Sequence, residues 1–471
     1  MAIALILDCG ATNVRAIAMN DQGKIIASTH QINQTFSDIK NPDYKVWDFE
    51  QITRKLFDCA KQVTKKLTEL QLEVDVIGVT TFGVDGAPFI RGEQCYPIIS
   101  WKCPRTLPVM KSLIQEFDVA ALYQRNGIGQ YSFNTLYKLR WLQQNEADLY
   151  KKIEHFLFIS SMLTYRLTGV MTTDRTMAGT SMMTNLQTET WDTEVLAFLE
   201  LLPEQLPPLV SAGEQIGKLL PDVAKQLGVV SGIPVVSCGH DTQFAILGSG
   251  AGLNQPVLSS GTWEILMART QKAIVQQEFL SQGLTTEWDA EKGIFNPAVQ
   301  WVGSGILEWV GKLLFSDCYG KDNYYQTMIT EAEAVDRDAN RVSVQGNLEF
   351  SDCSLGLGQF SGLSMHTTRG EIYIAMLEYL ANKLKSSLAL LQQVGHFEAG
   401  SLICVGGGAK NRLWNQIRAN TIGLPIEVVQ VSESTALGAA MIAFKGINVY
   451  QDVATAQQVM KSSREVVIPQ S

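Results

Sequence analysis

The chain opens on an apolar run, ALIL at residues 4 to 7, followed by a small-residue turn and a stretch in which Val14, Ala16 and Ala18 alternate with Arg15, Ile17 and Met19. Alternation of period two on either side of a turn predicts a hairpin of two strands. NDQG at 20 to 23 is a further turn and KIIAS a third strand, so the chain begins as an antiparallel meander. The period then lengthens. Ile52, Leu56, Ala60, Val63 and Leu67 recur every three or four residues behind Asp48, which predicts a capped amphipathic helix. VDVIGVTTFGVDG at 74 to 86 reads as a buried strand ending in a Gly-rich loop that exposes Asp85.

Around 231 to 250, SGIPVVSCGHDTQFAILGSG reads as a strand, a turn at GHD, and a small-residue helical or looped segment suited to a hinge. PVLSSGTWEILMART, 256 to 270, then repeats the opening plan of strand, hydroxyl-rich Gly turn and second strand. Thr368 and Glu371 have the spacing of a capping box, and Ile372, Ala375, Tyr379, Leu384, Leu388 and Leu391 predict a helix with one buried face that ends near Gly395. SLICVGGGAKNRLWNQIRAN follows as a strand whose triple glycine opens a helix, and after IEVVQV, a strand at 426 to 431, ESTALGAAMIAF is a small-residue helix able to pack closely. The pattern is α/β, and the repeated hairpin plan predicts two domains, 1–248 and 249–471.

Composition narrows the class. Hydrophobic content of 46% with 18% charged residues is that of a globular chain with buried sheets. The net charge of −9 argues against a nucleic-acid partner, which selects a basic stripe. Eight dispersed cysteines without a C-x-x-C pair read as reduced thiols, and the lack of a leader pattern or a long apolar run predicts a cytoplasmic protein off the membrane. Homo-oligomerisation is left open.

The two Gly turns carry the candidate chemistry. In ILDCGATNVRAI, Asp8 can hold a metal-bound water, Gly10 and Ala11 permit close backbone approach, and Thr12 and Arg15 can donate to phosphate oxygens. An ordinary hairpin turn is the competing reading, since the Walker pattern is absent. A strand–GGG–helix turn suits a nucleotide, because bare backbone at a helix N-terminus approaches phosphate or ribose, and the missing G-x-G-x-x-G rejects a dinucleotide site. His240 and Asp241 read either as a simple hydrogen-bonded pair or as a catalytic pair, and Trp263, Trp301 and Trp309 read as core.

Several separated motifs then converge. FNTLYKLRWLQQN at 133 to 145, GQFSGL at 358 to 363 with EIYIAMLE after it, the two turns, GHD, GGGAKN and ESTALGAA resemble, in order, the FGGY family of carbohydrate kinases. The resemblance implies two actin/hexokinase-like (ribonuclease H-like) ATPase domains with a cleft between them, ATP with Mg²⁺, and a sugar acceptor. It places Asp8 at the metal, Gly10, Thr12, Asn13, Arg15, Gly261 and Thr262 at the phosphates, and Gly407, Gly408 and Asn411 at adenosine, with Glu433, Thr435 and Ala436 closing near it. Asp85, Trp101, Lys102 and Asp241 fall on the sugar, with Asp241 as the catalytic base. WKCPR puts Cys103 where many relatives have an acid, and GVD replaces an Arg-Glu pair, so glycerol and D-xylulose are disfavoured. The motif set implies L-fuculose as substrate, phosphorylated at O1 in fucose degradation. Another ketose such as L-rhamnulose or D-ribulose, or a non-catalytic actin-like ATP-binding switch, stands as the alternative.

Overall fold

A computed structural model describes residues 1–339, 341–348, 356–429 and 433–470. Cys353 and the end of the strand expected over 426–431 lie outside the described residues. The chain forms two compact units, one from residues 1–252, 275–296 and 433–461 and the other from 253–274, 297–432 and 462–471. The single boundary expected at 248 lies near the first crossing; the chain then returns to the first unit twice.

The first unit is built on a six-stranded sheet. Its strands are β1 (Ile3–Cys9), β2 (Asn13–Asn20), β3 (Ile25–Ile32), β4 (Val76–Thr81), β5 (Gln215–Lys218) and β6 (Pro234–His240), in spatial order β5-β6-β4-β1-β2-β3. β1, β2 and β3 form the antiparallel meander, while β4 and β6 run parallel to β1 and its neighbour. α1 (Phe49–Glu69) begins where Asp48 accepts a hydrogen bond from the Gln51 amide, satisfying an amide that the first helical turn leaves open. Its stripe of Ile52, Leu56, Ala60, Val63 and Leu67 is buried against Val14, Ala16 and Ala18 of β2. Burial of each large side chain contributes about 1.5–3 kcal/mol.

Alternation in β2 does not separate a wet face from a dry one. Ile17 and Met19 on its other face are buried too, in a second core with Met441, Ile442 and Phe444 of the helix Ser434–Gly446. That helix packs on α3 (Asp241–Gly248) with backbones nearly in contact: a Cβ on Gly248 would lie 1.8 Å from the Ser434 carbonyl oxygen, and one on Gly438 would lie 2.0 Å from that of Phe244. The segment expected to be a hinge is therefore a firmly packed helix. α2 (Thr135–Asn145) carries the FNTLYKLRWLQQN motif.

The second unit repeats the scheme. β7 (Pro256–Ser260) and β8 (Trp263–Ala268) form a hairpin, β9 (Phe295–Val302) pairs antiparallel with β8 over 298–302, and β10 (Leu402–Val405) lies parallel to β7. α4 (Arg369–Gly395) starts in the expected capping box and α5 (Arg412–Ile422) follows β10. β11 (Ile426–Val429) and β12 (Arg464–Val467) extend the order to β9-β8-β7-β10-β11-β12, six strands of a seven-stranded sheet. Ile372 and Tyr379, expected on the buried face of α4, are half-buried, because the helix is packed by α5, by the helix Tyr324–Glu333 and by β8 on several sides.

Candidate active site

In the first unit the β1–β2 turn is tied down from behind. Asn33, itself buried, donates its backbone N–H to the Thr12 carbonyl at 2.8 Å and its side-chain amide to the Gly10 carbonyl at 2.9 Å. With both carbonyls occupied, Thr12 remains exposed beside a half-buried Asn13, and their side chains approach at 3.4 Å. Across the register pair Asp8↔Arg15, the guanidinium bonds Asp8 Oδ2 through Nε at 2.9 Å and through Nη2, and its Nη1 reaches Glu433 Oε2 at 2.5 Å. Burial pushes the Asp8 carboxyl up to about 6 against the pull of Arg15, with Asp241 and Glu433 adding to the rise. Asp8, Arg15, Glu433 and Asp241 thus form one electrostatic neighbourhood, and Glu433, expected near adenosine, pairs with Arg15.

β6 passes directly into α3 at Gly239–His240–Asp241, so Asp241 occupies the first helical position. The turn is cradled by Asp174: its Oδ1 takes the Thr176 hydroxyl at 2.5 Å, and Thr176 Oγ1 accepts the His240 amide at 2.8 Å. A Cβ on Gly239 would lie 2.0 Å from Asp174 Oδ1, so only glycine fits. The His240 ring has carboxylates on both sides, with Nε2 3.5 Å from Asp241 Oδ1 and Nδ1 3.3 Å from Glu287 Oε2, an ion-pair approach rather than a well-aimed hydrogen bond. Burial raises the Asp241 carboxyl, with His240 opposing and Glu287 reinforcing that rise. For His240 burial works downward, yet Glu287, Asp241 and Asp174 carry it above its ordinary value.

Asp85 is not exposed by its loop. It is fully buried, with Oδ2 accepting from Trp47 Nε1 at 2.6 Å and from the Trp101 amide at 3.0 Å, and Oδ1 paired with Lys138 of α2. Burial lifts the Asp85 carboxyl and lowers the Lys138 amine, each change opposed by the partner. Val84 just before it has φ +61°, a conformation a β-branched residue adopts only under constraint. The constraint is visible: its carbonyl accepts from Thr135 Oγ1 at 2.8 Å and Lys138 Nζ at 3.0 Å. Above this floor Trp101 and Lys102 are exposed, with Lys102 Nζ 5.3 Å from the Trp101 ring centre, and Phe133 lies edge-on to Trp101 and stacked on Tyr131. Cys103 is buried and accepts from Lys45 N and Arg105 Nε, so it presents no free thiol to a ligand.

The second unit's turn is tied down by a helix instead. The Gly261 carbonyl accepts from Ser304 N at 3.0 Å and Ser304 Oγ at 2.8 Å, and that of Thr262 accepts from Gly303 N at 2.9 Å, leaving the Thr262 side chain exposed. Behind it Glu264 accepts from Ser260 Oγ at 2.8 Å, from Trp301 Nε1 at 2.9 Å and from Arg418 of α5, all buried. The triple glycine opens a short 3₁₀ helix, Gly407–Lys410, and α5 begins after it, where the Asn411 side chain accepts the Trp414 amide at 3.0 Å. Gly408 sits on Ser260, whose Oγ would be 2.2 Å from any added Cβ, whereas Gly407 faces open space. Trp301 is core as expected; Trp263, the first residue of β8, and Trp309, midway along the helix Ser304–Leu314, are about half exposed.

The first-unit acids suit Mg²⁺ in its kinase mode, in which one or two carboxylates and the substrate's phosphates share the ion. Arg15 engages only Oδ2 of Asp8, leaving Oδ1 outside the ion pair. No cluster of three or more metal-ligating side chains occurs among the described residues. Asn33, Asp174, Glu287 and Lys138 escaped sequence reasoning. Lys138 stood inside a quoted motif; the others carry no local signal.

The strand order, the paired Gly turns and the Asp-bearing helix start define a two-unit sugar-kinase scaffold, and comparison with known proteins agrees. The N-terminal domain of the FGGY family of carbohydrate kinases matches residues 3–248 and its C-terminal domain 257–447, and the chain belongs to this family. It is 59% identical over 473 residues to L-fuculokinase of Haemophilus influenzae, with all of both chains covered. Identity to L-fuculokinase of Escherichia coli K12 is 43% over 472 residues, covering 100% of this chain and 98% of that one. The fold is shared with xylulose kinase from Rhodospirillum rubrum (TM-score 0.90, 21% identity, 100% of this chain and 94% of that chain). Plasmodium falciparum glycerol kinase, solved with ADP, also shares it (TM-score 0.88, 20% identity, 100% and 94%). Among the described residues no helix is long and apolar enough to cross a membrane, and the seven described cysteines are free.

Proposed function

We propose that the chain is an ATP-dependent L-fuculokinase, transferring the γ-phosphoryl group to O1 of L-fuculose to give L-fuculose 1-phosphate and ADP. The observation that carries the substrate is the 59% identity to an L-fuculokinase over the full length of both chains. The chemistry follows from the first unit. A sugar hydroxyl is a weak nucleophile, so a carboxylate within reach takes its proton as the O1–Pγ bond forms and the bond from Pγ to the β–γ bridging oxygen breaks. Asp241 is that base: burial raises its proton affinity, and its place at the start of α3 leaves the carboxylate part exposed.

Charge building on the transferred group is met by Arg15, Thr12, Asn13 and the Gly10 turn, fixed in advance by Asn33, so little reorganisation is needed. In the second unit Gly261 and Thr262 take phosphate oxygens, Gly407 and Gly408 give adenosine bare backbone, and Asn411 holds the start of α5 beside them. Mg²⁺, held at Asp8 and by the phosphates, neutralises phosphate charge when bound. On the sugar side Trp101 and Lys102 form the exposed wall with Asp85 fixing it from beneath.

The test is sugar-dependent ADP release with Mg·ATP against L-fuculose, L-rhamnulose, D-xylulose, D-ribulose and glycerol, beside Asp241→Asn. Highest kcat/KM for L-fuculose, reduced about 10²–10⁴-fold in the variant, is expected. A different preferred sugar discards the substrate; ATP binding without any sugar-dependent turnover discards the kinase in favour of a nucleotide-binding switch.

A further inference from the structure

The segment 275–296 leaves the second unit after β8 and packs into the first before the chain resumes in β9. Its short strand Thr285–Trp288 delivers Glu287 to the back of His240. Glu287 is held hard there. Its Oε1 accepts from Thr180 Oγ1 at 3.0 Å and its Oε2 from Gln243 Nε2 at 2.5 Å. Gln243, from the first turn of α3, is in turn fixed through Oε1 by Asn296 Nδ2, which also donates to Asp289 at 2.9 Å. A polar chain thus runs Asp289–Asn296–Gln243–Glu287–His240–Asp241, and half of its members come from the returning segment.

The front of His240 is equally specified. A Cβ on Gly83 would lie 2.7 Å from Nε2, so the GVD loop leaves room for the imidazole only because that position is glycine. The ring has one orientation in which Nδ1 meets Glu287 and Nε2 meets Asp241. Short-range aim matters here, since a displacement of about 1 Å at a reacting group can cost 10²-fold in rate.

We infer that Glu287 is a positioning residue for the reaction, acting through His240 to hold the Asp241 carboxylate in line with the acceptor hydroxyl. This rests on the kinase reading above. The Glu287 oxygens are engaged by Thr180, Gln243 and His240, so its effect passes through the imidazole. Among the described residues the charged groups facing that imidazole are Glu287, Asp241 and Asp174, of which Glu287 approaches Nδ1 and Asp241 Nε2.

The experiment compares Glu287→Gln, His240→Gln and the double variant in the full-length protein. Glu287→Gln keeps the shape and the bond from Thr180 while removing the charge. It is expected to lower kcat for L-fuculose about 10–100-fold with KM for ATP unchanged, and the double variant is expected to be no slower than His240→Gln alone. Independent multiplication of the two losses, or an unchanged kcat in Glu287→Gln, overturns the inference. ¹⁵N-histidine NMR supplies a readout without turnover: in Glu287→Gln the His240 imidazolium should lose its proton at lower pH, whereas Asp289→Asn should move it less. An unshifted His240 signal overturns the linkage even if the variants fold poorly in assay, and wild-type protein that lacks sugar-dependent ADP release fails the kinase reading while the NMR result still judges the Glu287–His240 contact.

Discussion

The two Gly turns use one backbone solution and opposite electrostatics. In both, the carbonyls are bound from behind and a threonine side chain is left exposed. In the first, the arginine of the Asp8–Arg15–Glu433 set has a side chain 31% exposed, so its charge is available to a phosphate. In the second, Glu264 and Arg418 are 0% and 1% exposed and the charge is consumed within the unit. One ion pair is part of a binding surface, and the other is internal bracing beneath one.

That contrast can be broken from either side. Removing Arg418 leaves Glu264 charged and unpaired in the core, so Arg418→Ala should lose about 3–5 kcal/mol of stability, read by urea unfolding. Arg15→Leu should do the reverse: kcat falls about 10²–10³-fold while the urea midpoint moves less than in Arg418→Ala, because Glu433 is a quarter exposed and the buried Asp8 carboxyl, already raised to about 6 beside Arg15, can take up a proton. Equal loss of stability in both variants would erase the distinction.

Gly407 and Gly408 sharpen it on a smaller scale. Gly408→Ala drives a methyl into Ser260 Oγ and should cost about 1–3 kcal/mol, whereas Gly407→Ala meets nothing within 4 Å and should leave the melting temperature unchanged while raising KM for ATP.

The smallest expected effect is a pH dependence of stability from the His240–Glu287 pair. Glu287 lies below its ordinary 4.5: burial works upward, but His240 beside it and the bonds from Thr180 and Gln243 outweigh that. Its contribution is present above 4.5 and lost as pH falls through its lowered value. His240 lies above its ordinary 6.5, so its contribution is present below 6.5 and lost as pH rises through its raised value. The difference in melting temperature between wild type and Glu287→Gln should therefore be greatest between pH 4.5 and 6.5 and shrink on both sides.

What the sequence disclosed was whatever depends on neighbours in the chain. Asp48 before its helix, Thr368 with Glu371, and the two hairpins are local grammar, and the structure has each of them. Asp85 was misread because its burial is decided by Trp47, Trp101 and Lys138, which are remote in sequence. The period-two pattern of β2 gave the hairpin but not what covers its Ile17 and Met19 face, since the helix that does so arrives more than 400 residues later. Glu287 had no motif around it; only the return of 275–296 to the first unit gives it a role.

The late arrival of the helix Ser434–Gly446 also governs how the protein is made. Residues 1–252 emerge from the ribosome with the Ile6, Ile17 and Met19 face of their sheet bare, and its cover ends at residue 446. At 5–20 residues per second that interval lasts about 10–40 s. During it the nascent chain carries an uncovered apolar surface, which makes it a client for holding chaperones and makes separate expression of an N-terminal half a route to aggregation.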